Sequence, residues 1–142
     1  MASSASPAAK KKLLELLSAL PELEGVQLSY EHPGPAIAQE SIYFMGTRGR
    51  ETAAALGRHR RDETFDLELM VDVAIDGDEG QLCEERCWEL IAVVEGLVRE
   101  NPDMGNTISG YFVYGGTDMK PYWAPGQRLN EATCTLHFVN RK

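Results

Sequence analysis

The stretch FDLELMVDV, residues 65–73, decides the fold because apolar and polar side chains alternate along it. The side chains on one side of an extended chain here are all large and apolar: Phe65, Leu67, Leu69, Val71 and Val73. The other side carries three acids, and Met70 is its single apolar residue. This pattern predicts a half-buried strand in an antiparallel sheet.

A long amphipathic helix is predicted directly after this strand. Asp76-Gly77-Asp78 predicts the intervening turn, with Asp78 as the helix N-cap, and Asn101-Pro102 predicts the end of the helix. Its apolar residues recur at helical spacing: Cys83, Cys87, Leu90, Ile91, Val94, Leu97 and Val98. Because the two cysteines belong to this stripe, we expect core packing rather than a metal site shared with Cys134 or His137.

The remaining elements complete a single α+β domain over residues 1–142. Ser6-Pro7 predicts a helix start, with Ser6 as N-cap, and residues 1–12 are either a flexible extension or the beginning of this helix. Strands are predicted at 26–30, 41–45, 107–114 and 132–139. The predicted order is α-β-β-β-α-β-β, in one antiparallel sheet with two main helices packed on it.

Two segments, 47–62 and 115–130, lack this periodicity and exceed the ~12–15 residues at which structureless loops become uncommon. They are predicted as two long loops in which function should be sought. The first is strongly basic and has one acid before Asp62; its basic residues are Arg48, Arg50, Arg58, His59, Arg60 and Arg61. This loop is either a solvated insertion or a surface that meets an anion or an acidic protein.

The second segment places Tyr122 and Trp123 between Pro121 and Pro125. These aromatic residues either cap the core of their own chain or anchor an interface, because exposed aromatic side chains are enriched at such sites. The sequence leaves both readings open.

Composition bounds the function further. The net charge of −8 argues against a dedicated nucleic-acid binder, because tight binding to phosphates needs many basic contacts. No apolar run approaches the ~20 residues that span a bilayer, and the sequence has no export signal, so we expect a soluble product of a reducing cytoplasm with three free thiols.

Chemical motifs are absent from the sequence. It has no phosphate-binding loop, nucleophile elbow, HExxH or paired CxxC, and none of His32, His59 and His137 lies in a catalytic pattern. His137 is expected to face solvent or a partner subunit. We therefore predict no catalytic residue, metal or cofactor, with two weaker alternatives: a small-ligand enzyme using a cavity beneath the long loops, or a nucleic-acid-binding adaptor using the arginine loop.

Five segments together carry a resemblance to a known family: LPELEGVQLSYEHPG (20–34), ESIYFMG (40–46), DETFDLELMVDVAI (62–75), ERCWELIAVVEGLVRENPDMGNTI (85–108) and LNEATCTLHFVNR (129–141). In pattern, order and length, the chain from Leu13 to Arg141 resembles the tail terminator, or tail completion, proteins of long-tailed bacteriophages. The arginine segment is longer and more basic than that family suggests.

The resemblance implies a structural virion protein of the tail or neck. Such proteins form a ring, usually of six copies, that caps the head-proximal end of the tail tube and stops its growth. The implied partners are further copies of the chain, the tail-tube protein, the head–tail connector proteins and DNA that passes through the channel, with no membrane. Other neck proteins, such as stoppers and adaptors, and tail-tube proteins share the same plan and remain alternatives.

Overall fold

A computed structural model describes residues 4–53 and 61–141. Its elements are α1 (Ser6–Ser18), β1 (Gln27–Ser29), β2 (Glu40–Ala53), β3 (Arg61–Asp76), α2 (Gly80–Glu100), β4 (Gly110–Ala124) and β5 (Gln127–Arg141). Short 3-10 turns occupy Pro21–Leu23 and Gly34–Ala36. The α+β class and the predicted order of two helices and five strands are confirmed.

The five strands form one sheet in the order β1-β2-β3-β5-β4. All neighbours are antiparallel except β1 and β2, which run parallel, so the prediction of a wholly antiparallel sheet is wrong at this edge. Parallel pairing requires the connection after β1 to bring the chain back to the end of the sheet at which β1 begins, and the Gln27 side chain stabilises this connection. The Gln27 amide group donates a hydrogen bond to the Ala36 carbonyl and accepts hydrogen bonds from the Ala38 N–H and the Ser41 hydroxyl. These hydrogen bonds hold the connecting loop against the short β1.

Both helices lie on one face of the sheet, where they bury the core. The apolar side of β3 and the apolar stripe of α2 are buried as the sequence predicts. Neighbouring strands and α1 complete this core with the following side chains: Ile42, Phe44, Phe112, Ala132, Cys134, Leu136, Phe138, Ala9, Leu13 and Leu17. The opposite face of the sheet, called the open face below, carries no helix among the residues described.

Both helix starts differ from the sequence-based expectation. Helix α1 begins at Ser6, with Ala5 in the N-cap position, so Ser6 is not the cap. The Ala5 N–H instead donates to the carboxylate of Glu63 on β3, at 3.0 Å. Helix α2 begins at Gly80 with Glu79 in the N-cap position, so Asp78 is not its cap. The Asp78 carboxylate instead forms an ion pair with Arg128 at 2.9 Å.

Neither predicted long loop is a loop in the part of the chain described. Strand β2 continues to Ala53 and β3 begins at Arg61, while β4 and β5 together occupy most of residues 115–130. The two predicted strands that continue further than expected, β2 and β4, each contain a bulge, between Phe44 and Thr47 in β2 and between Tyr114 and Gly116 in β4. An extra residue changes which sequence positions face inward, and this interrupts the alternation by which a strand is predicted.

Candidate interaction surfaces

The end of β2, residues 47–53, pairs with residues 61–67 of β3, and we call this end of β2 the basic arm. The bulge in β2 turns Arg48 and Arg50 onto the open face, where they lie opposite Asp66 and Thr64 of β3 and are exposed. The arm is therefore an ordered end of β2 that presents arginine on the open face, rather than the predicted loop.

The side chains of the four other predicted basic residues are not described. Arg58, His59 and Arg60 lie outside the described residues, and for Arg61 only the backbone position at the start of β3 is described. In sequence these residues lie between β2 and β3 or, for Arg61, at the first position of β3. Among the predicted basic residues of this segment, Arg48 and Arg50 are the two whose side chains the structure describes.

His137 lies on the open face, as the sequence predicts. Its Nδ1 is 2.7 Å from Oδ1 of Asp66, and Arg48 is the cross-strand neighbour of Asp66 on the other side. A basic, an acidic and a second potentially basic residue thus cross three adjacent strands. Both members of the His137 and Asp66 pair are nearly half exposed, so this row belongs to a solvated surface.

Tyr122 and Trp123 do not form a single apolar surface, because adjacent residues of a strand point to opposite faces. Tyr122 is on the open face with Glu131, whose negative charge raises the pKa of the Tyr122 hydroxyl. Trp123 is 69% exposed and lies under the guanidinium of Arg128, at 5.9 Å from its ring centre. Neither residue caps the core, and both remain accessible to a partner.

A cavity of about 360 Å³ lies beside β3, lined in part by His32, Gln39, Asp72 and Glu131. The Tyr43 hydroxyl donates to Oδ2 of Asp72 at 2.6 Å, while Oδ1 of Asp72 is buried without a hydrogen-bond partner among the described residues. Burial raises the pKa of Asp72 despite the hydrogen bond from Tyr43. The cavity can hold solvent.

The cysteines pack in the core on the helix side of the sheet. The Cys83 and Cys87 thiols donate to the carbonyls of Val73 and Val71, at 3.3 and 3.6 Å. Burial raises the pKa of Cys87 to about 12, which keeps the thiol protonated at neutral pH. His137 lies on the other face, so the sheet separates it from both cysteines. Both cysteines are buried in the apolar stripe of α2, where the sequence places them, and their role in packing rather than metal binding stays a prediction.

Sequence reasoning missed three exposed aromatic residues, Tyr30, Tyr111 and Trp88, of which Trp88 lies on α2. It is 46% exposed and lies among acids, with Glu84 and Glu85 one helical turn before it and Glu89 next to it. The available signal was its position outside the apolar stripe, since a tryptophan on the polar side of an amphipathic helix has no core to enter.

Residues 4–53 and 61–141 lack two features, a metal-binding cluster and a membrane-spanning helix. No group of three or more histidine, cysteine, aspartate or glutamate side chains is arranged to hold a metal ion. No helix there combines the length and apolar character needed to cross a membrane.

Comparison with known proteins identifies similarity at the level of structure. No family model matches the sequence, and no curated protein sequence matches it. Among solved structures, a chain from the virion of the native gene transfer agent (GTA) particle matches with a TM-score of 0.61 and 9% sequence identity. The match covers 98% of this chain and 100% of that chain. At this identity, the similarity shows a shared fold.

Proposed function

We propose that this protein is a structural component of a phage-like virion, specifically a tail terminator. It forms a ring, of six copies, that caps the head-proximal end of the tail tube, stops polymerisation and offers a docking surface to the head connector. The observation that carries the proposal is the end-to-end fold match with a virion chain, which leaves almost no part of either chain over. The sequence resemblance to tail terminators supports the finer assignment.

The edges of the sheet favour self-assembly. Among the described strands, β4 pairs only with β5, through fourteen of its fifteen residues, so its outer edge carries unpaired backbone groups. At the other edge, β1 covers only Ser41 to Tyr43 of β2 and leaves the rest of that strand without an outer neighbour in the described chain. Long exposed edges are templates for pairing with another chain. A ring protomer needs two such different surfaces, because each copy contacts two neighbours.

The charge of the chain suits a conduit for DNA. A net charge of −8 per copy repels phosphate, so a ring of such copies lets duplex DNA pass without holding it. A chain of 142 residues has a diameter on the order of 35–40 Å, and six such copies enclose a hole of about that width before any segment projects inward. We propose a non-catalytic role, with the tail-tube protein and the connector as partners.

Electron microscopy of particles made without this protein tests the proposal. A missing terminator should leave normal heads beside unjoined tails of abnormal length, because nothing stops subunits from adding to the tube. Complementation with the intact gene is the control and should restore joined tails of uniform length.

The same images discriminate the alternatives within the particle. Heads that leak DNA beside tails of normal length would indicate a stopper or adaptor, and the absence of any tube would indicate the tail-tube protein. Full heads joined to normal tails would contradict a role in the neck altogether.

A further inference from the structure

The cavity beside β3 lies between the sheet and the segment that joins β1 to β2. His32, Ile37 and Gln39 line it from the connecting segment, and Asp72 and Glu131 line it from β3 and β5. Its volume of about 360 Å³ falls within the ~300–1,000 Å³ of small-ligand sites. The cavity therefore has room for a ligand larger than a single water molecule.

Two acids adjoin each other in the wall of this cavity. Asp72 on β3 and Glu131 on β5 are direct cross-strand partners on the open face of the sheet. The Cβ atoms of such partners are about 4.5–5.5 Å apart, and like charges in this arrangement destabilise a sheet. The fold therefore keeps an unfavourable pair of carboxylates at the cavity.

One carboxylate oxygen, Oδ1 of Asp72, is buried and has no hydrogen-bond partner among the described residues. The two neighbouring hydroxyl groups donate elsewhere. Tyr43 donates to the other oxygen, Oδ2, at 2.6 Å, and Ser41, the partner of Asp72 on β2, donates to Gln27 at 2.9 Å. A buried acceptor without a donor is unfavourable, so a donor from outside the chain would be bound favourably.

The acid pair also lacks a balancing positive charge. In the described chain, no lysine or arginine lines the cavity. The Gly34 N–H donates to Nδ1 of His32 at 2.8 Å, and a nitrogen that accepts a hydrogen bond carries no proton, so His32 is neutral in this arrangement. Lys120 is the partner of Glu131 on β4, but it is exposed and does not line the cavity. Water donates hydrogen bonds without carrying charge, so a cation satisfies this wall better than solvent does.

The size and the apolar lining of the cavity indicate an organic cation. A bare metal ion would fill only a small part of the volume, and within residues 4–53 and 61–141 no three acid, histidine or cysteine side chains are placed to hold one. Ile37 and Leu129 provide apolar walls against which an aliphatic chain can pack. A primary ammonium or guanidinium group on such a chain combines positive charge, several donors and apolar carbon atoms.

We propose that this cavity binds an organic cation in which a primary ammonium or guanidinium group is carried on an aliphatic chain. The charged group donates to Oδ1 of Asp72 and to the carboxylate of Glu131, while the chain lies against Ile37 and Leu129. Such a cation is either a free small amine or the side chain of a lysine or arginine from another protein. The inference goes beyond the proposed terminator role and does not depend on it.

Calorimetric titration of the full chain with butylammonium, butylguanidinium and butanol tests the site. At constant ionic strength, we expect each cation to bind saturably with one site per chain. Butanol has the same aliphatic chain without the charge and should bind at least about tenfold more weakly, because it cannot balance the two acids. This comparison uses the wild-type chain and does not depend on how any variant folds.

Substitution of each acid locates the binding site. Asp72→Asn and Glu131→Gln should each weaken the binding of butylammonium about tenfold or more, because each removes a charged acceptor for the ammonium group. Asp118→Asn is the matched control, since it removes the same charge from an exposed position on the same face outside the cavity. Its affinity should stay within about twofold of the wild-type value.

Two further ligands distinguish the source of the cation. Tighter binding of diaminobutane than of Nα-acetyl-arginine amide would identify a free amine, and the reverse order would identify a basic side chain of a partner. The cation site would be overturned if neither butylammonium nor butylguanidinium bound saturably, if butanol bound equally well, or if both acid variants kept the wild-type affinity. None of these results bears on the terminator role, which the images of particles lacking the protein test separately.

Discussion

The Tyr43 hydroxyl donates a 2.6 Å hydrogen bond to one carboxylate oxygen of Asp72 and leaves the other oxygen buried without a partner among the described residues. Burial raises the pKa of Asp72, the hydrogen bond from Tyr43 lowers it, and the charge of Glu131 on the adjacent strand raises it. The net direction is upward. The ionised form of Asp72 is therefore disfavoured by the fold.

This relationship predicts the pH dependence of stability. A carboxyl group with a raised pKa binds its proton more tightly in the folded protein, so its contribution to stability is lost as pH rises from the ordinary value of 3.8 through the folded value. We expect Asp72→Asn to raise the free energy of unfolding at neutral pH and to change it little below that ordinary value. Urea denaturation at both pH values measures the difference.

Asp118 offers the control for this experiment, since it is an exposed acid on the same face of the sheet. Asp118→Asn should not reproduce a gain that grows with pH. If Asp72→Asn were destabilising at neutral pH, the hydrogen bond from Tyr43 would outweigh the burial of the charge.

Gly110 is predicted to be intolerant of a side chain. A Cβ atom there would lie 2.0 Å from the carbonyl oxygen of Val139 on β5, and backbone cannot move aside as a flexible side chain can. We expect Gly110→Ala to cost about 1–3 kcal/mol of stability, because the start of β4 must shift away from β5. Thermal unfolding provides the measurement.

Gly96 in the interior of α2 is the matched comparison, since a Cβ atom there meets nothing within 4 Å. Gly96→Ala should be neutral or stabilising by up to about 1 kcal/mol, because alanine favours the helix. Equal effects of the two substitutions would contradict the close approach of β4 and β5.

Replacement of Cys83 and Cys87 by alanine should produce only a loss of packing. Both thiols are fully buried, but a Cys→Ala substitution removes fewer atoms than a Leu→Ala substitution does. We therefore expect a loss of stability of about 1–2 kcal/mol per site. Denaturation gives the cost, and elemental analysis of the wild-type protein should find no stoichiometric zinc. One zinc per chain that disappears in the double variant would refute the packing interpretation.

Arg48 and Arg50 should matter for assembly and little for folding. Both side chains are exposed, so Arg48→Ser with Arg50→Ser should change stability by no more than about 0.5 kcal/mol per site. Phe65→Ala, from the buried row of the adjacent strand, should instead cost about 3–5 kcal/mol. An arginine variant that melts far below the wild-type chain would show that the basic arm contributes to the core.

The candidate surfaces were only partly predictable. The sequence singled out Arg48, Arg50, Tyr122 and Trp123 because they lie in segments without clear periodicity. It placed them in loops, and it paired the two aromatic residues, which the strand turns to opposite faces. The exposure of Trp88 was missed because its neighbours along α2 follow a regular pattern.

The sequence by itself determined the elements whose periodicity is uninterrupted. The alternation from Phe65 to Val73 and the apolar stripe of α2 correspond directly to buried positions, because one strand face and one helix stripe must enter the core. The α+β class and the order of the elements follow from these patterns. Their physical origin is local: the repeat of each backbone conformation determines which side chains share a face.

Only the tertiary structure decided the features that depend on residues far apart in the chain. The parallel pairing of β1 with β2 depends on contacts of Gln27 across its loop, and the full length of β2 and β4 depends on bulges accommodated by neighbouring strands. The local sequence pattern does not predict these features, because the pairing partners of each strand depend on the arrangement of all the strands in the sheet.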